Sequence, residues 1–267
     1  MSQVIEANCP ILTNPPWKGG KAKYRLGLKP INLDEWFDAT INPDIYKHKK
    51  SLIDSKYDEV IATTSNSSES QIYLSEKITG HNENYPDPIA NISLRVPDDL
   101  CIIQSTGEQK LLAASVCSPS YWNLKEKIGK SLREVHKPVK SLNEKIGNPI
   151  EKFIANAPLN SPFKRENWFI HGDSNRYHLK AEGMPKTPIE KWVIRSERET
   201  LCRYHEKYTL FAINVRFSKF LNLLDYPEAA NEMLFSLSTF DDEEIKYFGG
   251  ENKVSKIKSF LQTHLKN

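Results

Sequence analysis

Polar and apolar residues alternate most strictly between Tyr208 and Phe217. Phe211, Ile213, Val215 and Phe217 fall on one side, Ala212, Asn214 and Arg216 on the other, which is the two-residue period of a strand. The runs 91–104 (NISLRVPDDLCIIQ) and 109–117 (QKLLAASVC) flank STGEQ and predict a hairpin. Residues 57–64 (YDEVIATT) and 192–196 (WVIRS) predict two more strands. Helical spacing marks residues 67–80, with a serine cap and Gly80 as a stop.

The stretch 119–153 predicts two amphipathic helices. Ser118 and Pro119 start the first, and Tyr121, Leu124 and Ile128 share its apolar face. Ser141 and Glu144 form a capping box for the second, whose stripe is Leu142, Ile146, Ile150, Phe153, Ile154 and Ala157, with a kink or break expected at Pro149. The connector holds His136, and Pro138 biases Lys137 out of the helical region. His136 is therefore expected at a fixed bend, either as an axial ligand or as an ordinary half-buried residue. Ser196 and Glu199 read as another capping box, opening a short helix ETLCRY. Two helices are expected in the last forty residues, the final one through Val254, Ile257, Phe260, Leu261 and Leu265.

Together these elements predict a single α+β domain over residues 1–267 around an antiparallel sheet. An irregular proline-containing arm covers about residues 1–30, with Trp17 as its anchor. A helical extension covers about residues 226–267.

Composition narrows the function classes. The net charge of +3 (37 basic minus 34 acidic residues), with no dense Lys/Arg block, argues against nucleic acid. No apolar run of about 18 residues is present, so no membrane span is expected. The first residues, MSQVIEANCPILTN, lack a basic start followed by an apolar core, which argues against a secretory signal. Cys9, Cys101, Cys117 and Cys202 are far apart and read as reduced thiols, so a cytoplasmic protein is expected. There is no GxGxxG after a strand, no P-loop, no HExxH, no paired-Cys zinc spacing and no G-x-S-x-G elbow. His136, His171, His178 and His205 match no closed metal pattern. What remains is polar residues set in aromatic sequence: Arg165-x-Asn167-Trp168 and Arg195-x-Glu197-Arg198.

Several ordered segments carry a resemblance. They are GLKPINLDEWFDATINPDIYKHKKSLI, VPDDLCIIQ, SPSYWNLKEKIGKSLREVHKPV, LNEKIG, RENW, RSERETL and LFAINVRF. In them the chain resembles the haem-dependent oxidative N-demethylases. That resemblance implies a PAS-like domain, an antiparallel sheet with flanking helices forming a haem pocket. It implies haem b with one histidine ligand, and oxidation of a small methylated amine by O2 with release of formaldehyde. Electrons would come from NAD(P)H through a separate flavin and iron–sulfur reductase subunit. Carried over by motif, His136 of H-x-P-V is the iron ligand, and Arg165 and Glu197 lie on the distal side as catalytic residues. Glu197 and Trp168 would bind the amine, and Lys127 and Arg133 the haem propionates. The pattern departs at Lys140 and after Leu201, where Cys202-Arg203-Tyr204-His205 follow. A haem-binding sensor or carrier without turnover, a haem-free PAS-like module, and an oxygenase for a different amine stay open as alternatives.

Overall fold

The computed structural model describes residues 10–20, 26–38, 41–137 and 142–265. After the arm come β1 (Lys29–Pro30), α1 (Pro43–Val60), β2 (Ile61–Thr63), α2 (Ser68–Lys77) and α3 (Pro88–Ser93). The hairpin β3 (Asp99–Gln104) and β4 (Leu111–Ser115) follows, then α4 (Leu132–His136) and α5 (Asn148–Asn156). Three long strands come next: β5 (Phe163–His171), β6 (Val193–His205) and β7 (Tyr208–Lys219). The described chain closes with α6 (Pro227–Ser238), α7 (Asp242–Phe248) and α8 (Glu251–His264). The class is α+β, as expected, and the seven strands form one sheet in the order β1-β5-β6-β7-β3-β4-β2 with every pair antiparallel.

Register divides the side chains between two faces, because residues directly opposite each other in an antiparallel pair point the same way. One face carries Leu100 and Ile102 of β3, Leu210 and Ala212 of β7, and Cys202 of β6, packed on residues from α1, α2 and α3. Its other end carries Ile170 and Ile194, packed on Trp17, Phe220 and the C-terminal helices. We call this the packed face. Trp17 is fully buried and its indole donates to Ala229 O at 2.8 Å, so the arm does have the expected anchor. On the opposite face, which we call open, Arg195, His171 and Phe217 are fully buried at one end beneath the chain around Ser118 and Arg176, and helices cover the other end. There Leu132 of α4 and Ile154 of α5 pack on Cys101, Ile103, Leu111 and Leu201.

Four local expectations are corrected. Residues 57–60 belong to α1, which Asn42 caps and Pro43 begins, so only Ile61–Thr63 form a strand. No α-helix starts at Ser118: Tyr121 has φ 60°, Gly129 has φ 75°, and only a 3-10 turn, Leu124–Glu126, lies between them. Residues 196–204 continue β6, because β5 and β7 pair with that backbone from both sides and leave no donors for a cap to satisfy. The C-terminal region holds three helices among the described residues, since Asp241 and Glu244 form a capping box that opens α7. Gly249 ends α7 at φ 121°, and a Cβ there would lie 2.8 Å from Gly183 O.

Cys101, Cys117 and Cys202 are free, buried thiols. No helix among the described residues is long and apolar enough to cross a membrane.

Candidate functional site

The segment R-S-E-R-E-T of β6 builds the site by parity. Arg195, Glu197 and Glu199 point to the open face, while Ser196, Arg198 and Thr200 point to the packed one. Arg165 and Asn167 of β5 lie opposite Glu199 and Glu197. The Arg165 Nε donates to Glu199 Oε2. Arg195 Nε donates to Glu197 Oε1 at 3.2 Å, and Asn167 Nδ2 donates to Glu197 Oε2 at 3.1 Å. Arg195 is itself fully buried, and its Nη2 and Nη1 donate to Ser118 O (2.6 Å) and Arg176 O (3.3 Å).

Both glutamates are buried. Burial raises the Glu199 carboxyl to about 6; Arg165 opposes the rise and Glu197 adds to it. A carboxylate pair taken out of water and held by fixed cations is a poor stabilising device and a good chemical one. Among the described residues Glu199 Oε1 has no hydrogen-bond partner, so it is available to a guest.

His136 approaches from the helical side. The capping box of Ser131 and Glu134 opens α4, and His136 is its last residue. The expected bend at Pro138 and the expected cap at Ser141 lie outside the described residues; beyond them a π-helical turn, Asn143–Gly147, leads into α5. Burial, with the charges of Arg165 and Lys127, lowers the His136 pKa to about 4, so its ring is neutral at neutral pH. Neither ring nitrogen has a hydrogen-bond partner among the described residues. The charge of Arg165 acts on this ring, so the imidazole lies within electrostatic range of the acid–base row of the open face.

Other expected site residues are distributed differently. Lys127 is buried, and its Nζ donates to Val135 O at 3.2 Å. Arg133 points outward and is paired with Glu151, Nε to Oε1 at 2.6 Å. Trp168 faces the packed side, edge-on to Trp17 at 5.0 Å and to Phe248 at 5.2 Å. The structure therefore does not bring Trp168 to Glu197: one step along a strand changes face. His205 stacks on Tyr73 at 4.1 Å, against the packed-face core.

An aromatic row continues the open face beyond Asn167. Phe169 and His171 lie on β5, Tyr121 stacks on His171 (5.4 Å, 8°), and Tyr247 of α7 lies 5.8 Å from Phe169. His171 is fully buried, neither ring nitrogen has a partner among the described residues, and burial, then Arg195, lowers its pKa to about 2. His178 sits 5.1 Å from His171 and pairs with Asp173 at 3.2 Å. Tyr247 is 49% exposed, yet the surrounding protein raises its phenol to about 12, followed by the charges of Glu197 and Glu199. Sequence reasoning missed Glu199, Tyr121, His171 and Tyr247. The charge alternation of R-S-E-R-E-T would have found Glu199; nothing local signals Tyr247.

Among the described residues no three His, Cys, Asp or Glu side chains are grouped to hold a bare metal ion. A family model described as haem-dependent oxidative N-demethylase, alpha subunit-like, matches residues 43–257, from the start of α1 into α8. A search of curated proteins returns no match.

Proposed function

The chain belongs to the haem-dependent oxidative N-demethylase, alpha subunit-like family, and from that premise we propose that it is a haem b monooxygenase acting on a small methylated amine. The reaction oxidises an N-methyl carbon with O2 and releases formaldehyde. The observation that carries this reading is the neutral imidazole of His136, without a hydrogen-bond partner among the described residues and within electrostatic range of a row of buried carboxylates and guanidinium groups. The strand order β4-β3-β7-β6-β5, with α4 and α5 between the hairpin and the three long strands, supports a PAS-like sheet whose helices form one wall of the pocket.

The residues fit a haem. His136 is a suitable iron ligand because its ring is neutral and has no hydrogen-bond partner among the described residues. Phe211 and Ile213 of β7 are half-buried and supply apolar surface on the open face. Of the two candidate propionate cations, Lys127 acts electrostatically on His136, whereas Arg133 is paired with Glu151. When bound, haem supplies the oxidising chemistry.

The protein's own groups manage the amine. Glu197, held by Arg195 and Asn167, is a fixed counter-charge for an alkylammonium ion. Glu199 titrates near neutrality, so its Oε1 takes the ammonium proton, while Arg165 holds its Oε2 in place. The family name points to an alpha subunit, and electrons reach it from NAD(P)H through a separate flavin and iron–sulfur subunit. The three buried free thiols support a reducing, cytoplasmic location.

The test is spectroscopic first. The purified protein should show a strong Soret band that His136→Ala abolishes or shifts; an unchanged band in that variant would remove His136 as the ligand. Supplied with reductant, O2 and a panel of methylamines, the protein should then release formaldehyde. A haem-loaded protein that releases none across the panel is a sensor or carrier.

A further inference from the structure

Helix α7 lies across the β5 edge. Its consecutive residues reach opposite sides of the sheet: Phe248 packs on Trp168 of the packed face, and Tyr247 on Phe169 of the open face. Neighbours on a helix point about 100° apart, which allows this straddle. The position is held at both ends, by the Asp241–Glu244 capping box and by Gly249, where a Cβ would meet Lys253 Cδ at 2.7 Å. Tyr247 is thus a half-exposed aromatic on a fixed support, in electrostatic reach of two buried glutamates.

We propose that Tyr247 is the wall of the amine site that senses N-methylation, its ring closing the aromatic row Tyr247–Phe169–His171–Tyr121 beside Glu197 so that affinity rises with each methyl group on the nitrogen. The chemistry follows from how an alkylammonium ion spreads its charge. Its N–H groups seek carboxylate oxygens, and its N–CH3 groups carry the remaining positive charge without hydrogen-bonding capacity. Aromatic faces attract such methyl groups and do not compete for their hydration. Carboxylates alone would favour ammonium, the smaller and better donor. Carboxylates with an aromatic wall reverse that order. An ordinary surface tyrosine would lack the second half of this arrangement, the paired acids of β6.

The inference rests on the reading of Glu197 and Glu199 as the amine site. Titration calorimetry on the purified full-length protein, at pH 8, compares ammonium, methylammonium, dimethylammonium and trimethylammonium chlorides. Wild-type affinity should rise along that series. Tyr247→Leu keeps bulk against Phe169 but removes the π face. It should weaken trimethylammonium binding by about three- to thirty-fold and leave ammonium binding unchanged. Tyr247→Phe should behave as wild type. If Tyr247→Leu keeps the methyl preference while Glu197→Gln loses binding, the amine site stands and Tyr247 is not its wall. If the wild type binds none of the four cations, the amine reading falls and takes this one with it. Far-UV circular dichroism on each variant identifies a folding defect, and a folded Tyr247→Phe with altered methyl preference also overturns the proposal.

Discussion

On the packed face, Arg198 gives its guanidinium to backbone: Nη1 donates to Trp36 O at 3.1 Å and Nη2 to Glu35 O, while Asp38 accepts from Arg216 at 2.7 Å and from Asn214. On the open face, Arg165 and Arg195 give theirs to Glu199 and Glu197. The two sets meet on β6, where Arg198 lies one residue from Glu197 and from Glu199 but on the other face; the first set adds residues of β7 and the second residues of β5. The first ties residues 35–38 down over the sheet and is spent on structure. The second aims acids whose remaining lone pairs stay available, because a carboxylate accepts about four hydrogen bonds and these have one or two. A cation bonded to carbonyls holds the chain in place. A cation bonded to a carboxylate orients a reagent.

That contrast is open to direct attack. Arg198→Ala should be the most damaging change, about 3–5 kcal/mol of stability, because it removes a buried guanidinium that holds the Trp36 and Glu35 carbonyls and leaves Asp38 with fewer partners; chemical denaturation measures it. If Arg198→Ala is harmless, the packed-face network is not structural. Glu197→Gln should leave haem occupancy intact and weaken amine binding by about ten- to a hundredfold, read by calorimetry. Loss of haem in that variant would make Glu197 a structural residue and erase the contrast.

His171→Phe should stabilise. It removes a fully buried imidazole whose two nitrogens lack partners among the described residues, which is worth about 1–2 kcal/mol and a few degrees in Tm. A fall in Tm would mean that the ring has a partner in solution. The smallest effect is on pH. A carboxyl raised to about 6 is protonated below that value, so amine affinity should fall by less than tenfold as pH drops through 6. Glu199→Gln should flatten that dependence.

Some of this was legible from residue order. The alternation of Tyr208–Phe217 and the hairpin around STGEQ were readable because apolar residues mark at least one face there. β6 was not, since both of its faces are buried and both carry charge, so Ser196-x-x-Glu199 imitated a helix cap. The helical spacing of Tyr121, Leu124 and Ile128 was a coincidence that left-handed backbone at Tyr121 and Gly129 breaks. Trp168 was grouped with Arg165 and Glu197 because it adjoins Asn167 in sequence, yet strand parity separates it from them. Arg165, Glu197 and His136 stood out in residue order, and the resemblance supplied their roles. Glu199 needed the correct period, and Tyr247 needed the tertiary structure.

The pairing of β6 with β7 runs unbroken from Val193 to Arg203 and shifts only between Arg203 and His205. Insertions and deletions should therefore be tolerated very unequally along this strand. One extra residue before Arg203 would exchange every side chain between faces, sending Arg198 to the open face and Glu197 among the helices. The same residue added near Tyr204 would be absorbed where the ladder is already irregular. Relatives of this chain are then expected to differ in length after Arg203 and hardly at all between Val193 and Leu201.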